Sequence, residues 1–140
     1  MIVLDTNVLS ELMRARPVQA VVDWIAAQDA ESLFATSITE AELRYGLAIL
    51  PAGRRRDALA REIDGVFGED FLNRVLLFDS IAAEHFATIS ARRRALGRPI
   101  AMADAMIAAI AAAHGFAVAT RDATGFADTG VVVVDPFAGP

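Results

Sequence analysis

Five short apolar runs punctuate this chain: Ile2–Leu4, Leu33–Ala35, Val75–Phe78, Ala117–Thr120 and Val131–Val134. A strand with one face in water alternates apolar and polar residues. A run that does not alternate must be covered on both faces, which is the situation of a strand in a parallel sheet. The stretches between the runs have helical length and period. From about Pro17 to Gln28, Val18, Val21, Val22 and Ile25 share one face. A second helix starts at Thr36-Ser37 and carries Ile38, Leu43 and Leu47, a third covers about Arg54 to Phe67, and a fourth about Ser80 to Leu96. The fifth runs from about Ala103 to His114 and ends at Gly115, a residue suited to the left-handed C-cap. Alternating strands and helices imply βαβ units and a doubly wound α/β fold. The two consecutive helices between Leu33–Ala35 and Val75–Phe78 fit a helical hairpin laid against the sheet.

With 140 residues and a 55% hydrophobic composition, the chain has the size of one domain and enough apolar surface for a packed core. Its longest apolar stretch, Ala105 to Ala113, is far shorter than the roughly 20 residues a membrane span needs. The N-terminus lacks the basic region and apolar core of a signal peptide, which fits a cytoplasmic protein. Cysteine is absent, so disulfides, thiol nucleophiles and thiolate metal sites are excluded. All 13 basic residues are arginine. Without lysine there is neither a Walker A phosphate loop nor a Schiff-base amine. The net charge of −5 argues against a generally basic nucleic-acid binder. Two arginine clusters, Arg54-Arg55-Arg56 and Arg92-Arg93-Arg94, leave two readings open: a local basic face, or a solvated helix face.

Four acidic residues stand where the buried framework meets a loop or a helix end. Asp5 directly follows the first apolar run, in Leu4-Asp5-Thr6-Asn7. That is where α/β sheets bind ligands, and also where Asp is common as a turn or cap residue. Asp122 repeats the pattern after Ala119-Thr120-Arg121. Glu42 lies in Ser37-Ile38-Thr39-Glu40-Ala41-Glu42, where Ser37 with Glu40 and Thr39 with Glu42 each match a capping box. If Ser37 caps the helix, Glu42 is free and lies close to the strand ends. Asp104 opens an almost wholly apolar helix, where the helix dipole favours it but burial demands a partner. All four can face one edge of a parallel sheet. Converging carboxylates repel one another unless a cation intervenes, and oxygen donors suit hard ions such as Mg²⁺. His85 and His114 read as structural, and Trp24 and Tyr45 as packing or interface groups.

These residues give the chain a close resemblance to the PIN-domain family, and within it to the VapC-type toxins of type II toxin–antitoxin pairs, FitB-like subgroup. The resemblance rests on Ile2-Val3-Leu4-Asp5-Thr6-Asn7-Val8-Leu9-Ser10-Glu11-Leu12, on Ser37 to Gly46, on Asp104-Ala105-Met106-Ile107-Ala108-Ala109 and on Gly115 to Asp122. It implies a three-layer, doubly wound, five-stranded parallel sheet flanked by helices. Residues 1–140 would form a single PIN-like nuclease domain, with 136–140 a loose tail. It further implies a ribonuclease dependent on Mg²⁺, or on Mn²⁺, with one or two ions per site. Asp5, Glu42, Asp104 and Asp122 would be the catalytic and metal-binding residues, supported by Thr6, Asn7 and Thr120. The implied partners are an RNA substrate, a second copy in a homodimer, and a VapB-type antitoxin that covers the acidic site and alone contacts operator DNA.

Two enzymatic rivals fail on particular residues. A phosphatase of the haloacid dehalogenase type needs a second Asp two positions after the first, where this chain has Asn7. A phospho-receiver domain relies on a lysine that is absent. The alternative from another class is a non-catalytic PIN-like binding module whose acidic pocket receives a partner's arginine. Metal-dependent nuclease activity separates the two.

Overall fold

The apolar runs pair as a single parallel sheet in the computed structural model, which describes residues 1–139. In chain order the elements are β1 (Ile2–Leu4), α1 (Thr6–Leu12), α2 (Gln19–Ala26), a 3-10 turn (Ala30–Ser32), β2 (Leu33–Thr36) and α3 (Ser37–Ala48). They continue with α4 (Arg54–Gly65), a π turn (Val66–Asp70), β3 (Val75–Leu76), α5 (Ser80–Ala95), α6 (Met102–His114), β4 (Ala117–Ala119) and β5 (Val133–Val134). The strand order is β3-β2-β1-β4-β5, and every pairing is parallel.

Successive strand residues point to opposite faces, and the core divides accordingly. Leu4, Leu33, Ala35 and Ala119 pack on one face with Val8 and Leu9 of α1, Val21 of α2 and Ile63 of α4. Val3 and Val118 pack on the other with Ile89 of α5 and Ile107 of α6. This is the doubly wound, three-layer arrangement expected from runs that need cover on both sides. Leu4, Leu9, Ile63, Ile107 and Ile110 lie among the largest fully buried side chains. Such burial is worth roughly 1.5–3 kcal/mol per side chain. In α6, Ala105, Ala108, Ala109 and Ala111 are also buried, and these small side chains let α5 lie close along it. Gly115 closes α6 at φ +69°, left-handed backbone that a residue with a Cβ resists.

The chain departs from its sequence-based expectation at the edges. β3 keeps only Val75–Leu76 of the expected Val75–Phe78, and β5 only Val133–Val134 of Val131–Val134. Both are edge strands, paired on one side; of the residues left out of the ladder, Leu77 is 66% exposed and Val132 69%, while Phe78 and Val131 pack against the second core face. The segment expected to hang loose, 136–140, is partly tied down. Phe137 packs against the first core face, and its N–H donates to Asp135 Oδ1 at 2.9 Å. Pro140 lies outside the described residues.

The winding places the site. The chain steps outward from β1 to β2 and β3, then returns to lay β4 on the other side of β1. The direction of winding therefore reverses between β1 and β4. At such a reversal the helices diverge and leave a crevice at the carboxyl ends of the strands.

Candidate acidic site

Asp5 occupies that crevice. Its backbone N–H donates to Ala119 O of the neighbouring strand at 2.9 Å, so β1 and β4 are still paired where the carboxylate begins. Asp5 is extended (φ −68°, ψ 160°) and caps α1, which starts at Thr6. Its Oδ1 accepts from the Thr6 N–H at 2.7 Å. Its Oδ2 accepts from the Thr120 hydroxyl at 2.7 Å and from Asn7 Nδ2 at 3.2 Å. Thr120 has no freedom left. Having given its proton to Asp5, its oxygen accepts from Asn7 Nδ2 at 3.1 Å and from the Asp122 N–H at 3.0 Å. Burial pushes the Asp5 carboxyl above the usual range, against the Thr120 and Thr6 hydrogen bonds that lower it, with Glu42 and Asp122 adding to the rise.

Glu42 arrives through a second network. Its Oε1 accepts from the Thr6 hydroxyl at 2.7 Å, and Thr6 Oγ1 lies 2.9 Å from Thr39 Oγ1. Thr6 has spent its one proton on Glu42, so the Thr39 hydroxyl donates to Thr6. The expected cap at Ser37 is not formed. Thr36 is the N-cap, and its hydroxyl accepts from the Thr39 N–H at 3.1 Å. Neither capping box closes: Glu40 pairs with Arg44 at 2.9 Å, and Glu42 is turned to the strand ends. The conclusion that Glu42 is free of capping holds, for a different reason. The sequence marked Thr39 only as a capping-box partner of Glu42, not as a residue that positions it through Thr6. Its place three residues before Glu42, one helical turn away on the same face, was the available signal.

Asp122 lies beyond β4, held to Thr120 by its own N–H and to Gly125, whose N–H donates to Asp122 Oδ1 at 2.9 Å. Asp104 lies in the first turn of α6. Its carboxyl is raised to about 6, chiefly by burial and then by the charges of Asp5, Asp122 and Glu42, while the Arg93 guanidinium pulls the other way. The four residues expected to meet do share one edge and feel one another. They are not closed into a cage: among the described residues no three acidic or histidine side chains stand in metal-holding geometry. Like charges gathered at one edge repel one another, and a cation among the oxygens would offset that repulsion. The donor set fits a hard divalent ion. It is all oxygen, and a cation would favour the charged forms of Asp104 and Asp5, whose carboxyls are raised chiefly by burial and then by neighbouring acids.

The surrounding charges correct the reading of the arginines. Arg93 is not part of a solvated cluster; it is 6% exposed, with Nε donating to Arg98 O at 2.7 Å and Nη1 to Gly125 O at 2.8 Å and Ala127 O at 2.9 Å. Arg54 and Arg55 do face solvent at the start of α4. Glu11 is buried beside the site, an acid the sequence did not flag. Its carboxyl is held low by the Val18 N–H at 3.1 Å, then by Arg14 at 3.3 Å and Arg121 at 3.4 Å. Arg121 also covers the Phe137 ring at 3.8 Å. A groove of about 1090 Å³ runs from Thr6 and Glu42 along α1, α3 and α4, past Arg14, Arg16 and Arg55.

Comparison with known proteins places this arrangement. The family model described as PIN domain matches residues 2–132. A protein named VapC ribonuclease Y4jK from Sinorhizobium fredii is 47% identical over 137 residues, covering 98% of both chains. Toxin FitB of Neisseria gonorrhoeae is 39% identical over 98% of this chain and 99% of its own. Among solved structures, FitAB bound to an IR36 DNA fragment superposes with a TM-score of 0.92 at 38% identity, over 98% of this chain and 96% of the other.

Proposed function

The chain belongs to the PIN domain family, and we propose from that footing that it is the toxin of a type II toxin–antitoxin pair, a divalent-metal-dependent ribonuclease. The observation that carries the chemistry is the Asp5 network. A buried carboxylate is held by three donors and raised chiefly by its burial, then by the charges of neighbouring acids, at the switch point of a parallel sheet. The relatives named VapC ribonuclease and Toxin FitB support the reaction and the biological role.

Asp5, Asp104 and Asp122 would hold the ion, Mg²⁺ or Mn²⁺, and Glu42 would orient the attacking water or bind a second ion. The cation supplies Lewis-acid polarisation of the phosphodiester and an activated water nucleophile. The chain's own residues do the positioning. Thr120 and Asn7 fix the rotation of the Asp5 carboxylate, and Thr6, steadied by Thr39, turns Glu42 into the crevice. The groove beside Glu42 gives a single strand of RNA a path, with Arg14, Arg16 and Arg55 placed for its phosphates. We take the partners to be an antitoxin that inserts a basic side chain among the acids, and a second copy of the toxin. The FitAB complex on DNA supports the first.

The test is RNA cleavage by purified protein with Mg²⁺ or with chelator. Cleavage should require the metal and fall by about 100-fold or more in Asp5→Asn, a change that keeps the side chain's size. Undiminished cleavage by folded Asp5→Asn, or cleavage in chelator, would overturn the reading.

A further inference from the structure

The fourth acidic residue sits on a loop, where a carboxylate is least able to hold its place unaided. One hydrogen-bonded path connects it to the rigid body of the protein. Arg93 on α5, itself buried, donates to Gly125 O at 2.8 Å. The Gly125 N–H donates to Asp122 Oδ1 at 2.9 Å, and the Asp122 N–H donates to Thr120 Oγ1, the hydroxyl that holds Asp5. A second observation, purely steric, marks the same point. A Cβ built on Gly125 would strike the Asp122 carboxylate, with its Cγ at 2.8 Å. Gly125 does not adopt left-handed backbone, so conformational freedom is no reason for a glycine here. What needs the missing side chain is the carboxylate lying over it.

We infer that Gly125 and Arg93 are positioning residues for Asp122: the glycine gives the carboxylate its seat, and the arginine clamps that seat to α5. This rests on the proposed metal-dependent site and says how its least anchored member is held. The Arg93 guanidinium donates its hydrogen bonds to backbone carbonyls, at Arg98, Gly125 and Ala127, so its grip on the 125–127 loop is on the loop's shape. Removing a group that orients a ligand typically costs 10–100-fold in metal affinity.

The experiment measures Mn²⁺ binding by calorimetry, without RNA, for wild type, Asp5→Asn, Gly125→Ala, Asp122→Asn and the Gly125→Ala/Asp122→Asn double variant, each checked for fold by thermal melting. Gly125→Ala should bind Mn²⁺ roughly 10–100-fold more weakly than wild type while melting within a few degrees of it. In the Asp122→Asn background the same change should have no further effect, because it acts through that carboxylate. Wild-type affinity in Gly125→Ala, or a loss that adds in full to that of Asp122→Asn, overturns the inference. If Asp5→Asn keeps its affinity, the proposed site itself falls. If Asp5→Asn loses affinity and Gly125→Ala does not, only the positioning role falls. Should Gly125→Ala melt too low to compare, the same cycle run at reduced temperature, below its melting transition, decides by the same criterion.

Discussion

Asp104→Asn should make the metal-free protein more stable at neutral pH and less so in acid. The Asp104 carboxyl is raised from 3.8 to about 6, so the folded state takes up its proton before the unfolded state does. A raised acid disfavours folding above its folded value, and the deficit fades as pH falls toward the unfolded one. A rise of about two pH units corresponds to about 3 kcal/mol, and screening of this part-exposed group brings that to about 1–2 kcal/mol. Asparagine also forgoes the helix-terminus attraction, about 0.5 kcal/mol. The net expectation is a gain of about 1 kcal/mol at pH 7.5 in chelator, a rise of about 3 °C in melting temperature. At pH 4 the two proteins should melt together. Adding Mg²⁺ should raise the wild type and leave the variant behind. The assay is thermal melting from pH 4 to 8 with and without metal. A variant less stable than wild type at pH 7.5 in chelator, or a difference that does not change with pH, would refute the electrostatic argument.

Thr120→Val removes the hydroxyl shared by Asp5, Asn7 and Asp122. Because that hydroxyl lowers the Asp5 carboxyl, its loss should raise it further; the acid limb of the cleavage–pH profile should move to higher pH, and activity should drop about tenfold. Arg93→Met strands three carbonyls beneath a side chain that cannot donate, and should cost about 3 kcal/mol, read as a melting temperature lower by about 6–12 °C. A loss under about 1 kcal/mol would show that the loop re-forms its contacts with water.

The strands were legible because burial on both faces writes itself directly as unbroken apolar runs, as in Ile2–Leu4 and Ala117–Ala119. Gly115 announced its C-cap because left-handed backbone selects residue type. Asp5 and Asp122 were legible through their position after a strand. What stayed hidden depends on partners distant in sequence. Thr36 and Ser37 are both good caps, and only the end of β2 decides between them. Arg93 reads like Arg92 and Arg94 until the 125–127 loop, some 30 residues on, folds over it. Glu11 looks like a surface helix residue, yet Val18 and Arg121 enclose it. Gly125 gave no signal, since its constraint is a neighbouring carboxylate rather than its own backbone.

The central claim is that these carboxylates gather around a divalent ion. A crystal of the protein soaked in Mn²⁺, examined by anomalous scattering, tests it most directly. The account predicts a peak between Asp5, Asp104 and Asp122, with carboxylate oxygens at about 2.1 Å. A protein that cleaves RNA while no ion occupies that crevice would contradict it.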